Sequence, residues 1–461
     1  MEALTVEEIV TATDGKLLSG DLNRKINNIS IDSRTIKPND LFIAIKGKNF
    51  DGHSFVSEAL AKGAIGAVVA DANIKSSQAI LIKVKDTREA LGNIARYYRG
   101  KFKPLVIAVT GSNGKTTTKE MIAGILGKRM RIVKAKDSFN NEIGVPLTIL
   151  GIDFQTQALI LEIEMNLLGG TRRLAEIAKP QIGVVTNVGD THLEFLGSRE
   201  NVMREKAELI ESLTPDGVAI LNADDELVMA IGENFPKIQK LTFGLNQPAD
   251  IFAKQILDLT TNGCHFMLQG KYRTRLHLLG THNIYNALAA IATVKACGFD
   301  FAPIVSAIEE FRPVTMRMEI VRIKDLTVIN DTYNANPQSM KTALATLAKI
   351  DSDGKKIVVL GDMLELGAGS EFFHYTLGQE AAKIADVILA IGKFSRNVIE
   401  GALQVGINPE NARNYENNKD LLTNLIDIIQ PKDTILIKGS RAMHLEWLLE
   451  GLKTEYEKKT D

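Results

Sequence analysis

The sequence predicts an α/β protein of three domains, and three observations carry that expectation. A chain of 461 residues is too long for one ordinary hydrophobic core. A β-branched strand, a Gly-rich turn and a helix opening follow one another in Val106-Ile-Ala-Val-Thr110-Gly-Ser-Asn-Gly-Lys115-Thr-Thr-Thr118. Strand and helix patterns then alternate, with breaks at Gly100-Lys-Phe-Lys-Pro104 and Phe311-Arg-Pro313. The expected units are residues 1–100, a small α/β domain; 101–312, a doubly wound, mostly parallel sheet around the phosphate-loop motif; and 313–461, a Rossmann-like α/β domain.

Composition narrows the function. The chain is 45% apolar and 24% charged, as water-soluble enzymes are. With 55 basic against 56 acidic residues there is no bulk field to attract a polyanion, so nucleic acid is not an expected partner. Cys264 and Cys297 lack the spacing of a disulfide framework or a metal site. The N-terminal residues do not resemble a signal peptide, and no apolar run approaches membrane-spanning length. The expectation is a cytoplasmic protein without membrane insertion.

In the first unit, Ile29-Ser-Ile-Asp-Ser-Arg34 alternates like a strand and stops. Asp40 to Lys46 reads as a second strand, and a helix is expected from about Ser54 to Lys62. Ser33, Arg34, Lys46 and His53 are candidates to hold an anion at the strand ends; the competing reading is solvated turn residues. In the second unit, two glycines let backbone N–H groups turn toward a phosphate. The helix N-terminus adds partial positive charge, Lys115 a full one, and Thr116 stands where a hydroxyl ligates Mg2+. The cradle comprises Thr110, Gly111, Ser112, Asn113, Gly114, Lys115, Thr116 and Thr117. Val109 occupies a position where the longer phosphate-loop pattern has Gly.

Further strands are expected at Leu105 to Thr110, Ala158 to Glu164, Ile182 to Asn187 and Gly217 to Asn222. Alternation puts Glu162 and Glu164 on one face of an apolar strand, where a metal would satisfy them; alternatively Glu164 merely emerges at the strand end. Asn187, Asp190 and His192 follow the next strand and fall beyond the sheet's carboxyl edge, where ligands collect. A helix from Ser198 puts Lys206 on the stripe of Val202, Leu209 and Leu213, pointing either inward or snorkelling to water. Residues 248–278, with a turn at Thr260-Thr-Asn-Gly263, read as an antiparallel excursion, and helical periodicity resumes at Asn283 to Ala296. In the third unit, strands are expected at Leu326 to Asp331, Lys356 to Leu360, Val387 to Ile391 and Thr434 to Lys438, and Asn336-Pro337 suits a helix start.

A series of motifs then resembles one family. Asn330-Asp-Thr-Tyr-Asn-Ala-Asn-Pro337-Gln-Ser-Met340, Gly361-Asp-Met-Leu-Glu-Leu-Gly367 and Lys438-Gly-Ser-Arg441 lie in the third unit. Phe139-Asn-Asn-Glu-Ile-Gly-Val-Pro146 and Gly280-Thr-His-Asn283-Ile-Tyr-Asn286 lie in the second. Asp32-Ser-Arg34 and Lys46-Gly with Phe50-Asp-Gly-His53 lie in the first. Together they are similar to the Mur ligases of bacterial cell-wall synthesis, in order from about residue 29 to 441.

The resemblance implies an ATP-dependent amide ligase that joins D-alanyl-D-alanine to UDP-MurNAc-tripeptide through an acyl phosphate, working as a monomer with two Mg2+ ions. It gives the UDP-sugar to residues 1–100, with Ser33, Arg34 and Lys46 as contacts. It gives ATP to the central unit, with Lys115 on the phosphates and Asn283 on the adenine, completed by Arg317 and Asp331 from the third unit. It places Thr116, Glu162 and His192 on magnesium, together with Lys206 as a carbamate. Asn140, Asn141, Asn334, Asn336 and Arg441 are the remaining substrate-contact candidates. Rival readings are a ligase adding the third amino acid, and an ATP-binding regulatory protein without catalysis. The chain departs from the family pattern where Glu164 replaces a Gly, where Gly169-Gly-Thr171 stands for Gly-Glu-Ile, and where Asn330 replaces an Asp.

Overall fold

The computed structural model describes residues 1–47, 50–71, 79–260 and 263–460. Among them the strands form four sheets, of nine, six, five and two strands. The phosphate-loop strand, Leu105–Thr110, lies inside the nine-stranded sheet between Ala158–Glu162 and Ile182–Val185, both parallel to it. From this strand the chain first crosses to one side, to Ile132–Lys134 and Ala158–Glu162. It then crosses to the other, to Ile182–Val185, Val218–Asn222 and Gln239–Gly244. The reversal leaves a crevice at the carboxyl end of Leu105–Thr110, where doubly wound sheets bind ligands.

Val106, Ile107, Ala108 and Val109 are fully buried because helices cover both faces, which explains their continuous apolar run. The antiparallel excursion is present as Ile251–Thr260, Gly263–Leu268 and Tyr272–Leu276, with registers such as Phe266 opposite Thr274. Positions 261 and 262 of its expected turn lie outside the described residues.

Two expected strands end early. Ala158–Glu162 stops before Glu164, and Ile182–Val185 stops before Asn187. In the second case Thr186 and Asn187 turn their side chains onto Asn113 instead of continuing the ladder.

The six-stranded sheet of the third unit contains Leu326–Asp331, Lys356–Gly361, Val387–Ile391 and Thr434–Lys438, parallel to one another, with Glu319–Ile323 as an antiparallel edge. Asn336 caps helix Pro337–Ala348 by accepting from Ser339 N at 2.8 Å, and Pro337 occupies the first turn, where its missing N–H costs nothing.

The N-terminal strands are shorter than expected, Ile29–Ser30 and Leu41–Ile43. Asp32 explains the first: its carboxylate accepts from the backbone N–H of Arg34 at 2.9 Å and bends the chain. The helix expected from Ser54 begins as a 3-10 turn, Gly52–Phe55, and becomes α-helical over Val56–Ala61.

Helix Thr87–Arg99 joins the first unit to the second. Its apolar face belongs to one hydrophobic cluster that contains Leu41, Ile43 and Val68 from the first sheet and Val106, Leu159 and Leu174 from the second unit. The Tyr98 hydroxyl donates to Ile152 O at 2.6 Å, and Arg99 Nε donates to Ala178 O at 3.1 Å. No helix among the described residues is long and apolar enough to cross a membrane.

Candidate active site

The Gly-rich turn is possible only with glycine at two of its positions. Gly111 has φ +140°, and a Cβ there would meet Thr186 Oγ1 at 1.9 Å. Gly114 has φ +84°, and its Cβ would meet Asn286 Oδ1 at 2.1 Å. Thr186 Oγ1 donates to Asn113 O at 2.6 Å, and Asn187 both accepts from Asn113 N (2.9 Å) and donates to Asn113 O (3.0 Å). Helix Lys115–Leu126 starts directly after Gly114, so the free N–H groups of its first turn face the crevice.

Lys115 Nζ is tied to Gly111 O (2.7 Å) and to the Glu164 carboxylate (2.6 Å). Thr116 Oγ1 donates to Glu162 Oε2 at 2.9 Å, and Asn140 Nδ2 donates to Glu162 Oε1 at 2.9 Å and to Glu164 Oε2 at 3.3 Å. Glu162 is almost fully buried, whereas Glu164 stands just beyond the strand and reaches back to the lysine. Burial by itself would raise the Glu164 pKa, but the charge of Lys115 and the bond to His192 outweigh it and hold the carboxyl well below its ordinary range.

His192 adopts φ +54° at the start of a short helical turn and lies between two carboxylates. Its Nε2 is 3.3 Å from Glu164 Oε1, and its Nδ1 is 2.6 Å from Glu365 Oε2 of the third unit. Burial opposes the charged ring, yet these two partners raise its pKa to about 9.

The third unit covers the crevice. Arg317 Nη2 donates to Thr116 Oγ1 at 3.1 Å while its guanidinium stacks on Tyr333, 3.9 Å from the ring centre. Asn336 Nδ2 donates to Asn113 Oδ1 at 2.8 Å. The cleft measures about 850 Å³ and is lined by the phosphate loop, Glu162, Glu164, His192, Asn283 and Arg317, among others. Asn283 also donates to Leu279 O at 2.7 Å. Asp331 lines the cleft and accepts from Lys438 Nζ at 2.6 Å. Asn334 and Arg441 line it too, Arg441 paired with Glu446 at 2.7 Å. His282, whose Nδ1 has no partner, sits beside Asn283, and burial pushes its imidazole down to about 4.

The four expected metal ligands are not all brought together. Thr116 and Glu162 meet; His192 is engaged by Glu164 and Glu365; Lys206 lies near enough to Glu164 to favour its negative charge but gives its ammonium to Glu205. Lys206 is fully buried in helix Arg199–Glu211, so it does not snorkel, because its ammonium finds a partner inside: Glu205 Oε2, 3.0 Å away and equally buried. Among the described residues no three His, Cys, Asp or Glu side chains cluster tightly enough to hold a metal unaided. The Thr116 hydroxyl and the Glu162 carboxylate are hard oxygen donors beside a phosphate cradle, a set that fits Mg2+ sharing its remaining positions with phosphate oxygens and water.

The N-terminal candidates stand apart from the cleft. Ser33 is buried and gives its carbonyl to Lys62 Nζ at 3.1 Å. Arg34 is bidentate to Asp32, at 2.9 and 2.8 Å, with its side chain 82% exposed. The Lys46 carbonyl accepts from Arg88, which also pairs with Glu142. His53 is structural, held by Asp51 and accepting from Ala70 N. Asn141 caps the turn into helix Gly144–Ile149 and does not line the cleft.

Sequence reasoning did not single out Glu365, Tyr333 or Lys119. Lys119 is fully buried, donates to Ala135 O and Asp137 O, and lies 3.9 Å from Glu162. Its signal was available: it is one helical turn beyond Lys115, facing the same strand end.

Family models match three consecutive stretches: a Mur ligase family catalytic domain over 25–99, a Mur ligase middle domain over 109–294, and a Mur ligase glutamate ligase domain over 316–441. A UDP-N-acetylmuramoyl-tripeptide–D-alanyl-D-alanine ligase of Bacillus subtilis is 36% identical, covering 97% of this chain and 98% of its own. The crystal structure of MurF from Acinetobacter baumannii superposes with a TM-score of 0.90 at 32% identity, over 99% of this chain and 100% of that one. MurF ligase from Thermotoga maritima, solved in complex with ADP, gives 0.82 at 28% identity over 94% and 99%. With phosphate loop, buried carboxylates and covering third unit in the arrangement above, the chain belongs to the Mur ligase family.

Proposed function

We propose that the protein is an ATP-dependent ligase that joins D-alanyl-D-alanine to UDP-MurNAc-tripeptide, releasing ADP and phosphate in the making of the peptidoglycan precursor. The single observation that carries the reading is the cleft in which Lys115, Thr116 and Glu162 of the central unit meet Arg317 of the third. Full-length similarity to proteins named for this reaction supports the substrate pair. It also favours this reading over a ligase for the third amino acid.

On this reading the loop amides and Lys115 hold the ATP phosphates, and Asn283 and His282 face the base. Bound Mg2+, held by Thr116 and Glu162, would offset phosphate charge. The peptide carboxylate attacks the γ-phosphate in line, and an acyl phosphate and ADP form. Lys115 exchanges Glu164 for the phosphate, and Arg317 faces the charge that gathers there. The amine of D-alanyl-D-alanine attacks the acyl carbon, the tetrahedral intermediate collapses, and phosphate departs. Water in the cleft would hydrolyse the acyl phosphate, so the contacts from Asn336, Arg317 and Glu365 that close it serve the chemistry.

The UDP-sugar falls to the first unit through Ser33, Arg34 and Lys46. Arg34 then leaves Asp32 for the pyrophosphate, and the Lys46–Arg88–Glu142 chain links that end to the Asn140 loop. Asn334 and Arg441 are the remaining candidates for the dipeptide, Arg441 after leaving Glu446, since Asn336 is occupied as a cap and bridge.

The test is ATP-dependent phosphate release with UDP-MurNAc-tripeptide, with and without D-alanyl-D-alanine, using lysine and diaminopimelate tripeptides. Release that requires D-alanyl-D-alanine is expected. Turnover only with a UDP-dipeptide and a free amino acid would move the chain to the preceding step.

A further inference from the structure

Four side chains form one chain across the boundary between the second and third units. Lys115 Nζ lies 2.6 Å from Glu164 Oε1, that same oxygen lies 3.3 Å from His192 Nε2, and His192 Nδ1 lies 2.6 Å from Glu365 Oε2. Donors and carboxylates alternate along it, so each member is held by the next. Lys115 serves the phosphate loop and Glu365 belongs to the third unit. The chain therefore connects the phosphate end of the cleft with the unit that covers it.

The loop that carries Glu365 is pinned on both sides of the contact. Asp362 O accepts from Ser440 N at 3.0 Å, and its carboxylate accepts from Lys393 N at 2.7 Å and Phe394 N at 3.1 Å. Met363 N donates to His374 Nε2 and Leu364 N to Ser440 Oγ, both at 2.9 Å. Glu365 itself has φ +62°, a left-handed conformation that a residue with a Cβ keeps only where its surroundings impose it. Its carbonyl accepts from Glu194 N at 3.0 Å, so backbone and side chain grip one turn, which His192 enters with φ +54°. Gly367 permits the approach: a Cβ there would stand 3.3 Å from Glu194 Cα.

A carboxylate only accepts, so His192 Nδ1 carries a proton and Nε2 is the nitrogen turned toward Glu164 and the cleft. A histidine bonded at one nitrogen to a fixed carboxylate has its ring orientation set for whatever the other nitrogen meets. When phosphate takes Lys115 from Glu164, that carboxylate keeps His192 and Asn140 as partners. We propose that Glu365 is a positioning residue: from the third unit it fixes the His192 ring and, through His192 and Glu164, ties the docking of that unit to the release of Lys115 for phosphate. The kinetic consequence rests on the ligase reading, but the first test does not.

That test is 15N NMR of the intact protein labelled at histidine, with the His192 signals assigned by their loss in His192→Gln. The expected result is a His192 Nδ1 proton protected from exchange in the parent and unprotected in Glu365→Ala. No protected proton in the parent, or one that persists in Glu365→Ala, would overturn the proposal. The second test is kinetic, with melting temperature as the check on folding; the Glu365 side chain is 43% exposed, so its replacement leaves the core intact. Glu365→Ala is expected to lower kcat for phosphate release about thirtyfold, with the KM for the UDP-peptide changed less than about threefold, and Glu365→Gln, which keeps an acceptor, to retain part of the activity. In a Glu164→Gln background the same alanine substitution is expected to cost less than about threefold, because the chain is already cut. An equal loss in both backgrounds would reduce Glu365 to a docking contact and sink the proposed link. Should the parent release no phosphate at all, the ligase reading fails, and the NMR result still decides whether Glu365 holds His192.

Discussion

The phosphate loop and the N-terminal strand ends both offer positive charge to an anion, and they are held in opposite ways. Lys115 is nearly buried, its backbone fixed by two glycines in positive φ and by Thr186 and Asn187 from the next strand. Arg34 projects into water with its neighbour Asp32 as partner, and Lys46, exposed, contributes a carbonyl to Arg88. The first site is preorganised, so its geometry survives without ligand. On the proposed reading the second would be organised by its ligand, which must displace the Arg34–Asp32 ion pair. Burial decides which of two similar sets of cations can do chemistry and which can only hold.

Substitution at the two sites should separate these roles. Lys115→Ala is expected to lower phosphate release by a factor of about a thousand or more, with calorimetric binding of the UDP-peptide changed less than about threefold. Loss of both together would contradict the division between the units. Arg34→Ala should do the reverse at smaller scale. The KM for the UDP-peptide rises about tenfold and the KM for ATP stays put, because a solvated arginine contributes binding without altering the barrier. An equal rise in both constants would mean that the two sites are not separate.

A still smaller effect concerns how the first unit is held. Burial would raise the Glu8 pKa, but bonds from Lys101, Thr5 N and Tyr97 outweigh it and bring it to about 2 from 4.5. A carboxylate lowered in the folded state contributes stability above its unfolded pKa and loses it as pH falls toward the folded one. The melting-temperature gap between the parent and Glu8→Gln is therefore expected to be small at pH 7 and to shrink between about pH 4.5 and 2. A gap that persists to acid pH would assign the effect to shape and not to charge.

The strands that end at catalytic groups were the most legible part of the fold, because a buried parallel strand must be continuously apolar and a phosphate turn must contain glycine. Leu105–Thr110 and Leu326–Asp331 carry those bounds in the sequence itself. The ends of Ala158–Glu162 and Ile182–Val185 were not legible, since side chains that bond across to another loop stop a ladder without a local signal. Glu162 and Asn140 could be named from motif and alternation. Glu365, whose bond to His192 spans 173 residues, is set by how the third unit docks, and no periodicity encodes it. Lys206 shows the same limit: helical spacing placed it on the apolar stripe but left it to point inward or snorkel, and the buried Glu205 that decides the matter had no signal of its own.

The hydrophobic cluster shared by the first unit and the central one through helix Thr87–Arg99 has a metric consequence. Two anchor points joined through one continuous hydrophobic core are held at a set separation. On the proposed reading, a substrate gripped by its nucleotide at one end must present its carboxylate at the other, so the frame would act as a ruler. A peptide one residue short would leave its terminal carbon stranded before the phosphate, and one residue long would have to buckle. On the proposed reading, selection by length requires no pocket for the intervening side chains, and the third unit is left to test the incoming amine.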